Sequence, residues 1–267
     1  MERNNNVYLP SPVKVVDNVW ETKENFLLTL DTRMDCVPGQ FVQISMLGVG
    51  EAPISIASWG SDTLTLHIRE VGNVTRALGR CQPGDTVFLR GPYGNGYPMS
   101  EARGRNLILA GGGCGVASLK GVIDYVEKNR ADFKEIAAFV GYRSSNEVLF
   151  GDRIEEWRKS MFIHVSLDTL KEGTCHDASE GFVSDVVRQT EIPSGDSVAM
   201  LCGPPIMIRL SGQALLDKGL REDQVFVSEE RLMYCAMGTC CHCMIGSKFT
   251  CRDGPVFRWD ELKEQVQ

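Results

Sequence analysis

Leu107-Ile108-Leu109-Ala110-Gly111-Gly112-Gly113-Cys114-Gly115 decides how the chain is read. An apolar run passes straight into a glycine-rich turn, and a helix is expected to follow over 116–128. Glycines at such a turn let the backbone approach a pyrophosphate, and the helix start offers N–H groups to its charge. The spacing is not G-x-G-x-x-G, and glycine-rich strand ends also occur without ligands. A second turn strengthens the reading: Cys202-Gly203-Pro204-Pro205 follows an apolar strand over 197–202. Two such turns at the carboxyl ends of parallel strands can flank one crevice. Taken alone, Cys202 reads equally well as a buried apolar thiol.

Working outward, strands are expected over 106–110, 136–141, 162–167 and 197–202. Helices are expected over 116–128, 153–159, 182–190 and 206–218. This alternation implies a doubly wound parallel sheet. On the N-terminal side the rhythm is different. Val13-Lys14-Val15-Val16, Phe26-Leu27-Leu28-Thr29-Leu30, Gln40-Phe41-Val42-Gln43-Ile44, Leu64-Thr65-Leu66-His67-Ile68 and Thr86-Val87-Phe88-Leu89 are β-rich and separated by Gly, Pro and Asp. Short strands at that spacing suggest an antiparallel barrel.

The C-terminal tail is loop-rich. Of ten cysteines, Cys36, Cys81, Cys114, Cys175 and Cys202 are scattered, whereas Cys235, Cys240, Cys241, Cys243 and Cys251 fall together. Clustered cysteines in a reducing compartment point to a metal rather than to disulfides. Cys235, Cys240 and Cys243 form C-x4-C-x2-C, with Cys251 downstream, which is the ligand spacing of plant-type [2Fe–2S] proteins. Three thiolates from one tight loop and a fourth from a nearby turn can converge on two irons. Gly238, Ala236 and Thr239 let loop amides reach the sulfurs. The competing interpretation is a structural zinc knuckle, but zinc favours paired C-x2-C units and only one is clean here. Cys241 is an extra thiol, expected to be buried behind the ligands or to substitute for one of them, and His242 lacks the spacing of a Rieske ligand.

The net charge of −7 argues against nucleic acid, whose phosphates are held by Lys and Arg. The polar N-terminus carries no visible secretory signal, and no run of about 18 apolar residues suggests a membrane span. A cytoplasmic protein is expected.

Several segments in order give the chain a close resemblance to ferredoxin–NADP reductase-like electron-transfer subunits over nearly its full length. They are Gly50-Glu51-Ala52-Pro53-Ile54-Ser55-Ile56, Val71-Gly72-Asn73-Val74-Thr75, Gly91-Pro92-Tyr93-Gly94-Asn95-Gly96, the two glycine turns and the cysteine motif. The chain closely resembles gamma subunits of sulfhydrogenase and related hydrogenases and the corresponding subunit of anaerobic sulfite reductase. It is more distantly similar to the electron-transfer subunit of dihydroorotate dehydrogenase. The resemblance implies an antiparallel β-barrel flavin domain over 7–100, a doubly wound parallel-sheet nucleotide domain over 101–227, and a small [2Fe–2S]-binding C-terminal segment over 228–267.

It also implies FAD in the barrel. The family's Arg-x-Tyr-Ser/Thr strand corresponds to Ala52, Pro53, Ile54 and Ser55, where the arginine and tyrosine are absent. Ser55 would still offer a hydroxyl to the flavin. His67, Ile68 and Arg69 match a second flavin-contacting strand, with Arg69 suited to a phosphate. Gly72, Val74 and Thr75 match a turn at the pyrophosphate. Gly112, Gly113 and Gly115 match the nucleotide loop, and Cys202, Gly203 and Pro204 the nicotinamide side. Ser118 stands where the family usually has proline. Arg143, Ser144 and Ser145, after the strand ending at Gly141, are candidates for a 2′-phosphate, and no acidic residue stands immediately there for a free 2′-hydroxyl, which leaves NADH and NADPH both open. Electrons are expected to pass between NAD(P)H and a catalytic redox subunit or ferredoxin-like iron–sulfur protein, through FAD and a [2Fe–2S] cluster. Alternatives are a stand-alone NAD(P)H–ferredoxin reductase and a regulatory subunit that has lost one cofactor.

Overall fold

A computed structural model describes residues 6, 8–170, 177–192 and 195–262. The polar Met1–Asn5 stretch, Val7, Cys175 and the end of the C-terminal segment beyond 262 lie outside the described residues.

Six antiparallel strands close the first barrel: β1 (Ser11–Trp20), β2 (Asn25–Asp31), β3 (Phe41–Met46), β4 (Gly50–Trp59), β5 (Thr63–Arg69) and β6 (Thr86–Tyr93), in the order β1-β2-β5-β4-β3-β6. Their period-two pattern places Phe26, Leu28, Leu30, Val42, Ile44, Leu64, Leu66, Ile68, Val87 and Leu89 inside one core. Strand β4 is absent from the purely patterned reading because Gly50 and Pro53 look like breakers. The register explains its survival. Residues 50–55 pair with β3 (Met46↔Gly50 to Phe41↔Ser55), whereas pairing with β5 begins only at Ile56↔Leu66. Pro53 therefore sits on a half-strand with one open edge, where a missing N–H is tolerated. The expected turn at Val74 and Thr75 is a short helix, α1 (Asn73–Leu78). The Thr75 hydroxyl accepts from the Val71 and Gly72 amides at 3.0 and 2.9 Å, which satisfies donors that the helix start leaves unpaired.

After α2 (Met99–Ala102) the chain alternates: β7 (Asn106–Gly112), α3 (Gly115–Lys128), β8 (Ile136–Tyr142), α4 (Gly151–Trp157), β9 (Phe162–Leu167), β10 (Ala178–Glu180), α5 (Val183–Gln189), β11 (Ser197–Cys202), α6 (Pro205–Asp217) and β12 (Val225–Ser228). These strands are parallel in the order β10-β9-β8-β7-β11-β12. Leu107 and Leu109 enter one core while Ile108 and Ala110 enter the other, as a sheet covered on both faces requires. Helix α3 also meets the barrel: a Cβ added at Gly121 would lie 3.4 Å from the Trp59 ring.

The tail is more than loop. After β12 it leaves the sheet, forms the small hairpin β13 (Met244–Ile245) and β14 (Lys248–Phe249), and returns as β15 (Val256–Arg258) before α7 (Trp259–Leu262). Strand β15 pairs antiparallel to β12 (Ser228↔Val256), so the sheet has seven strands where four are expected, with β10, β12 and the antiparallel β15 as additions. The three residues of β15 are too short to show a pattern in sequence.

Candidate functional site

The order of the sheet reverses at β7. The chain builds β8, β9 and β10 on one side, then crosses to lay β11 and β12 on the other. The loops after β7 and β11 thus part above adjacent strand ends, which is where open α/β sheets bind ligands. Gly113 adopts φ 53°, and its N–H donates to the Gly141 carbonyl at 2.9 Å. A Cβ at Gly115 would fall 2.3 Å from the Cys202 carbonyl oxygen, and one at Gly203 would fall 2.9 Å from the Gly112 nitrogen. The two turns touch backbone to backbone, so glycine is required there by space.

A cavity of about 940 Å³ opens over these ends, between the sheet and the barrel wall. It is lined by Gly112, Gly113, Cys114 and Gly115; by Arg143 and Ser144 after β8; by Asp168 after β9; by Gly203 and Pro204; by Glu229 and Glu230 after β12; and, from the barrel, by Glu24, Asn25 and Arg69. A single cleft thus gathers Arg69, Gly112, Gly113, Gly115, Arg143, Ser144, Gly203 and Pro204 from the sequence expectations. Cys202 is not on its surface. The residue is 1% exposed, burial pushes its thiol up to about 12, and the hydroxyls of Ser118 and Ser228 contact the sulfur. Asp168 is an addition. Its signal was readable as an acid immediately after a predicted strand, but one strand further on than β8. Burial also raises the Glu229 carboxyl.

The barrel residues divide by face. Ile68 is in the barrel core and fully buried, so only its backbone can meet a ligand. His67 points the other way, its ring 5.9 Å from that of Phe150, and burial lowers its pKa to about 4, so it is neutral. Arg69 reaches the cavity but is ion-paired with Glu24 at 2.8 Å. Alternation turns Ile54 and Ile56 inward and Pro53 and Ser55 outward; Ser55 is half-buried, and its hydroxyl makes no hydrogen bond among the described residues. Gly72, Val74 and Thr75 stand beside the start of this strand, since a Cβ at Gly50 would lie 3.2 Å from Val74 Cγ2.

On the far side of the barrel, the cysteine loop covers β3 and β6. Phe41 packs with Met233, Ala236, Cys243 and Cys251 in one small buried cluster, and Tyr93 adjoins it. Ala236, Gly238 and Cys241 all have left-handed backbone (φ 62°, 72° and 61°). Bends of this kind turn amides inward. Gly238 N–H donates to Cys251 Sγ at 3.1 Å, and the Met237 and Thr239 N–H groups donate to Cys235 Sγ, each at 3.4 Å. Burial opposes ionisation of Cys235, but the Thr239 hydroxyl and these amides outweigh it and bring the thiol to about 5. Cys251 is pushed up to about 12, by burial first and then by its neighbour Cys243. Amide donors to these two sulfurs are of the kind that accompanies iron–sulfur ligation, while among the described residues no three of the cysteines converge closely enough to hold a metal ion. Cys241 is exposed, and the His242 ring stacks edge-on with Tyr234 at 4.4 Å.

Two side chains to which the sequence reading assigns no role tie this loop down. Asn95 donates from Nδ2 to the Asp253 and Val256 carbonyls at 3.1 and 2.7 Å and accepts from Val256 N–H at 3.2 Å. Arg90 joins Glu51 of β4 to the carbonyls of Tyr234 and Cys235. Burial alone would raise Glu51, but Arg90 and the Ser45 hydroxyl hold it below its usual range. Both Asn95 and Arg90 lie in or beside the Gly91–Gly96 segment. Their role is hidden in the sequence because each partner is more than a hundred residues away or on another strand.

Residues 109–213 match the oxidoreductase NAD-binding domain family. Residues 230–263 match the iron–sulfur cluster binding domain of dihydroorotate dehydrogenase B. Sulfhydrogenase 2 subunit gamma of Pyrococcus furiosus is 37% identical, over 94% of this chain and 89% of the relative. A probable dihydroorotate dehydrogenase B (NAD(+)) electron transfer subunit of Thermoplasma volcanium is 34% identical, over 94% and 90%. Among solved structures, a chain of the NADH-dependent reduced ferredoxin-NADP oxidoreductase superposes with a TM-score of 0.77, covering 95% of this chain and 92% of its own at 24% identity, which is a likeness of fold. Fold and site together define an NAD-binding oxidoreductase chain with an iron–sulfur domain. The chain belongs to the family of ferredoxin reductase-like electron-transfer subunits that includes the sulfhydrogenase gamma and dihydroorotate dehydrogenase B electron-transfer subunits. No helix among the described residues is long and apolar enough to cross a membrane.

Proposed function

We propose that this subunit passes electrons between NADH and a partner redox subunit through FAD on the barrel and a [2Fe–2S] cluster in the C-terminal loop. The division into 7–100, 101–227 and 228–267 follows the same reading. The observation that carries it is the layout across the barrel. The nucleotide cleft abuts one side of the wall, β4 offers an open edge over residues 50–55, and the cysteine loop lies over the neighbouring strands β3 and β6. An open strand edge, a half-buried Ser55 hydroxyl without a partner among the described residues, and Thr75 beside them fit a flavin.

A flavin takes a two-electron hydride and returns electrons singly, as a one-electron cluster requires. In this arrangement Gly112, Gly113 and Gly115 bring backbone N–H groups to the nucleotide pyrophosphate. Gly203 and Pro204 shape the nicotinamide end. Ser55 orients the flavin ring, and Arg69 exchanges Glu24 for a phosphate oxygen. The buried, neutral Cys202 supports the turn from behind. Cys235, Cys240, Cys243 and Cys251 hold the cluster.

NADH is favoured by Asp168. The carboxylate is exposed on the cavity and has no ion pair among the described residues. It accepts from a ribose 2′-hydroxyl and repels a 2′-phosphate. The NADPH reading rests on Arg143 and Ser144, on the neighbouring strand end. Exposed apolar Leu232, Tyr234 and Met244 on the cluster loop suit docking to a catalytic partner.

Anaerobically purified chain should display flavin bands that NADH bleaches faster than NADPH, followed by the EPR signal of a reduced [2Fe–2S] cluster. Flavin without a paramagnetic cluster would remove the second half of the route. A preference for NADPH would return the specificity to Arg143. A chain that reduces ferredoxin unaided would be a stand-alone reductase, whereas a complex subunit co-purifies with its catalytic partner.

A further inference from the structure

The guanidinium of Arg90 has all five N–H groups engaged. Nε donates to Glu51 Oε1 at 2.8 Å, and Nη2 to Glu51 Oε2 and to the Tyr234 carbonyl at 3.2 Å. Nη1 donates to the Tyr93 hydroxyl at 3.1 Å and to the Cys235 carbonyl at 2.7 Å. The side chain is only 8% exposed. A planar fork so completely held has one available position. It links three things that nothing local would join: strand β4 through Glu51, strand β6, and the peptide of the first cysteine of the cluster motif.

The layer beneath is also informative. Val42 and Ile44 face the barrel core, so Gln43 faces outward, paired in register with Pro53 on one side and Arg90 on the other. Gln43 is 1% exposed, and its Nε2 has no partner among the described residues. A buried donor of this kind is open to an ordered water or a bound group. From β4 across β3 to β6 is two strand spacings, about 10 Å.

We propose that Arg90 is a positioning residue that fixes the cluster loop against the cofactor strand β4 and, through its charge at the Cys235 carbonyl, sets how readily the cluster accepts an electron. The inference rests on the flavin and cluster route proposed above. Charge and hydrogen bonding around an iron–sulfur cluster set its potential, and the positive end of the Glu51–Arg90 pair, which faces the first ligand, favours the reduced, more negative form. In the transfer itself one electron leaves the reduced flavin, with its proton going to solvent, and one ferric iron becomes ferrous.

The test uses the holo chain carrying Arg90→Lys, Arg90→Gln, or the pair Glu51→Gln/Arg90→Gln, which leaves no unpaired carboxylate. Stopped-flow absorbance separates flavin bleaching by NADH from cluster reduction, and an EPR-monitored titration gives the cluster potential. In Arg90→Gln the first phase should stay within about twofold of wild type, while cluster reduction slows about tenfold and its equilibrium constant falls about tenfold, or about 59 mV for one electron. Arg90→Lys should keep most of the potential but lose the rate, because it retains charge without the fork. An unchanged potential and second phase in a loaded Arg90→Gln or double variant would overturn the proposal, as would an equal loss in both phases. Failure of both to load the cluster would make Arg90 a folding residue and also overturn it. A wild-type chain lacking flavin or cluster signals would instead bring down the underlying route.

Discussion

The nucleotide cleft and the iron–sulfur loop are both backbone-lined sites, yet they are held in opposite ways. The cleft is made of turns that leave strands already fixed on both faces by a core, and its two loops brace each other by direct backbone contact. The cluster loop is an excursion of about 27 residues between β12 and β15 with little regular structure. It owes its position to side chains of the barrel exit, Arg90 and Asn95, and to burial against Phe41 and Tyr93. A site on strand ends inherits rigidity from the sheet. One on a long loop must be fastened from elsewhere, and those fastenings are where it can be broken without harming its neighbour.

The comparison breaks most completely at the ligands. Cys251→Ser should abolish the EPR signal of the reduced cluster while NADH still bleaches the flavin; loss of both would mean that the two sites are one cooperative unit. Gly115→Ala should do the reverse. Its methyl would meet the Cys202 carbonyl, and overpacking of this kind costs about 1–3 kcal/mol, or about tenfold to a hundredfold in NADH affinity by calorimetry. The cluster signal under dithionite should persist.

Asn95→Ala removes two donated bonds and one accepted bond from the return turn, at a cost of about 1–3 kcal/mol. It should speed the release of iron to a chelator and leave the NADH dissociation constant unchanged. A shift in that constant would show that the loop and the cleft are coupled through β12.

The smallest effect concerns the seam between barrel and sheet. Burial raises Glu21 to about 7, opposed by the Phe150 amide and the Lys120 charge, and its Oε2 has no hydrogen-bond partner among the described residues. The folded state therefore holds this proton more tightly than the unfolded chain does. Its contribution to stability should be greatest below about 4.5 and decline as pH rises to about 7. After allowance for solvent screening the change is of order 1 kcal/mol. Glu21→Gln should flatten the pH dependence of the urea midpoint over that window; an unaltered slope would assign it elsewhere.

Much of this is legible in the chain. Leu107–Gly115 announces the strand, turn and helix, and the structure adds only that the strand extends to Gly112. The second turn, at Cys202, is its companion as expected, although the cysteine itself is buried behind it. The cysteine spacing points to the loop whose amides reach the sulfurs. Strand β4 escapes the patterned reading because an open edge tolerates Pro53, and that edge exists only once β5 pairs late.

Sequence alone determined the things that depend on neighbours along the chain: two periodicities, two glycine turns and a ligand spacing, because these are set by local geometry and the chemistry of each side chain. Only the tertiary structure decided which residues cross between elements. Arg90 reaches a peptide 145 positions away, Asn95 one 161 away, and Asp168 joins the cleft from the next strand end. No local pattern encodes such contacts. They exist because the sheet order and the return of β15 bring distant backbone within hydrogen-bonding reach.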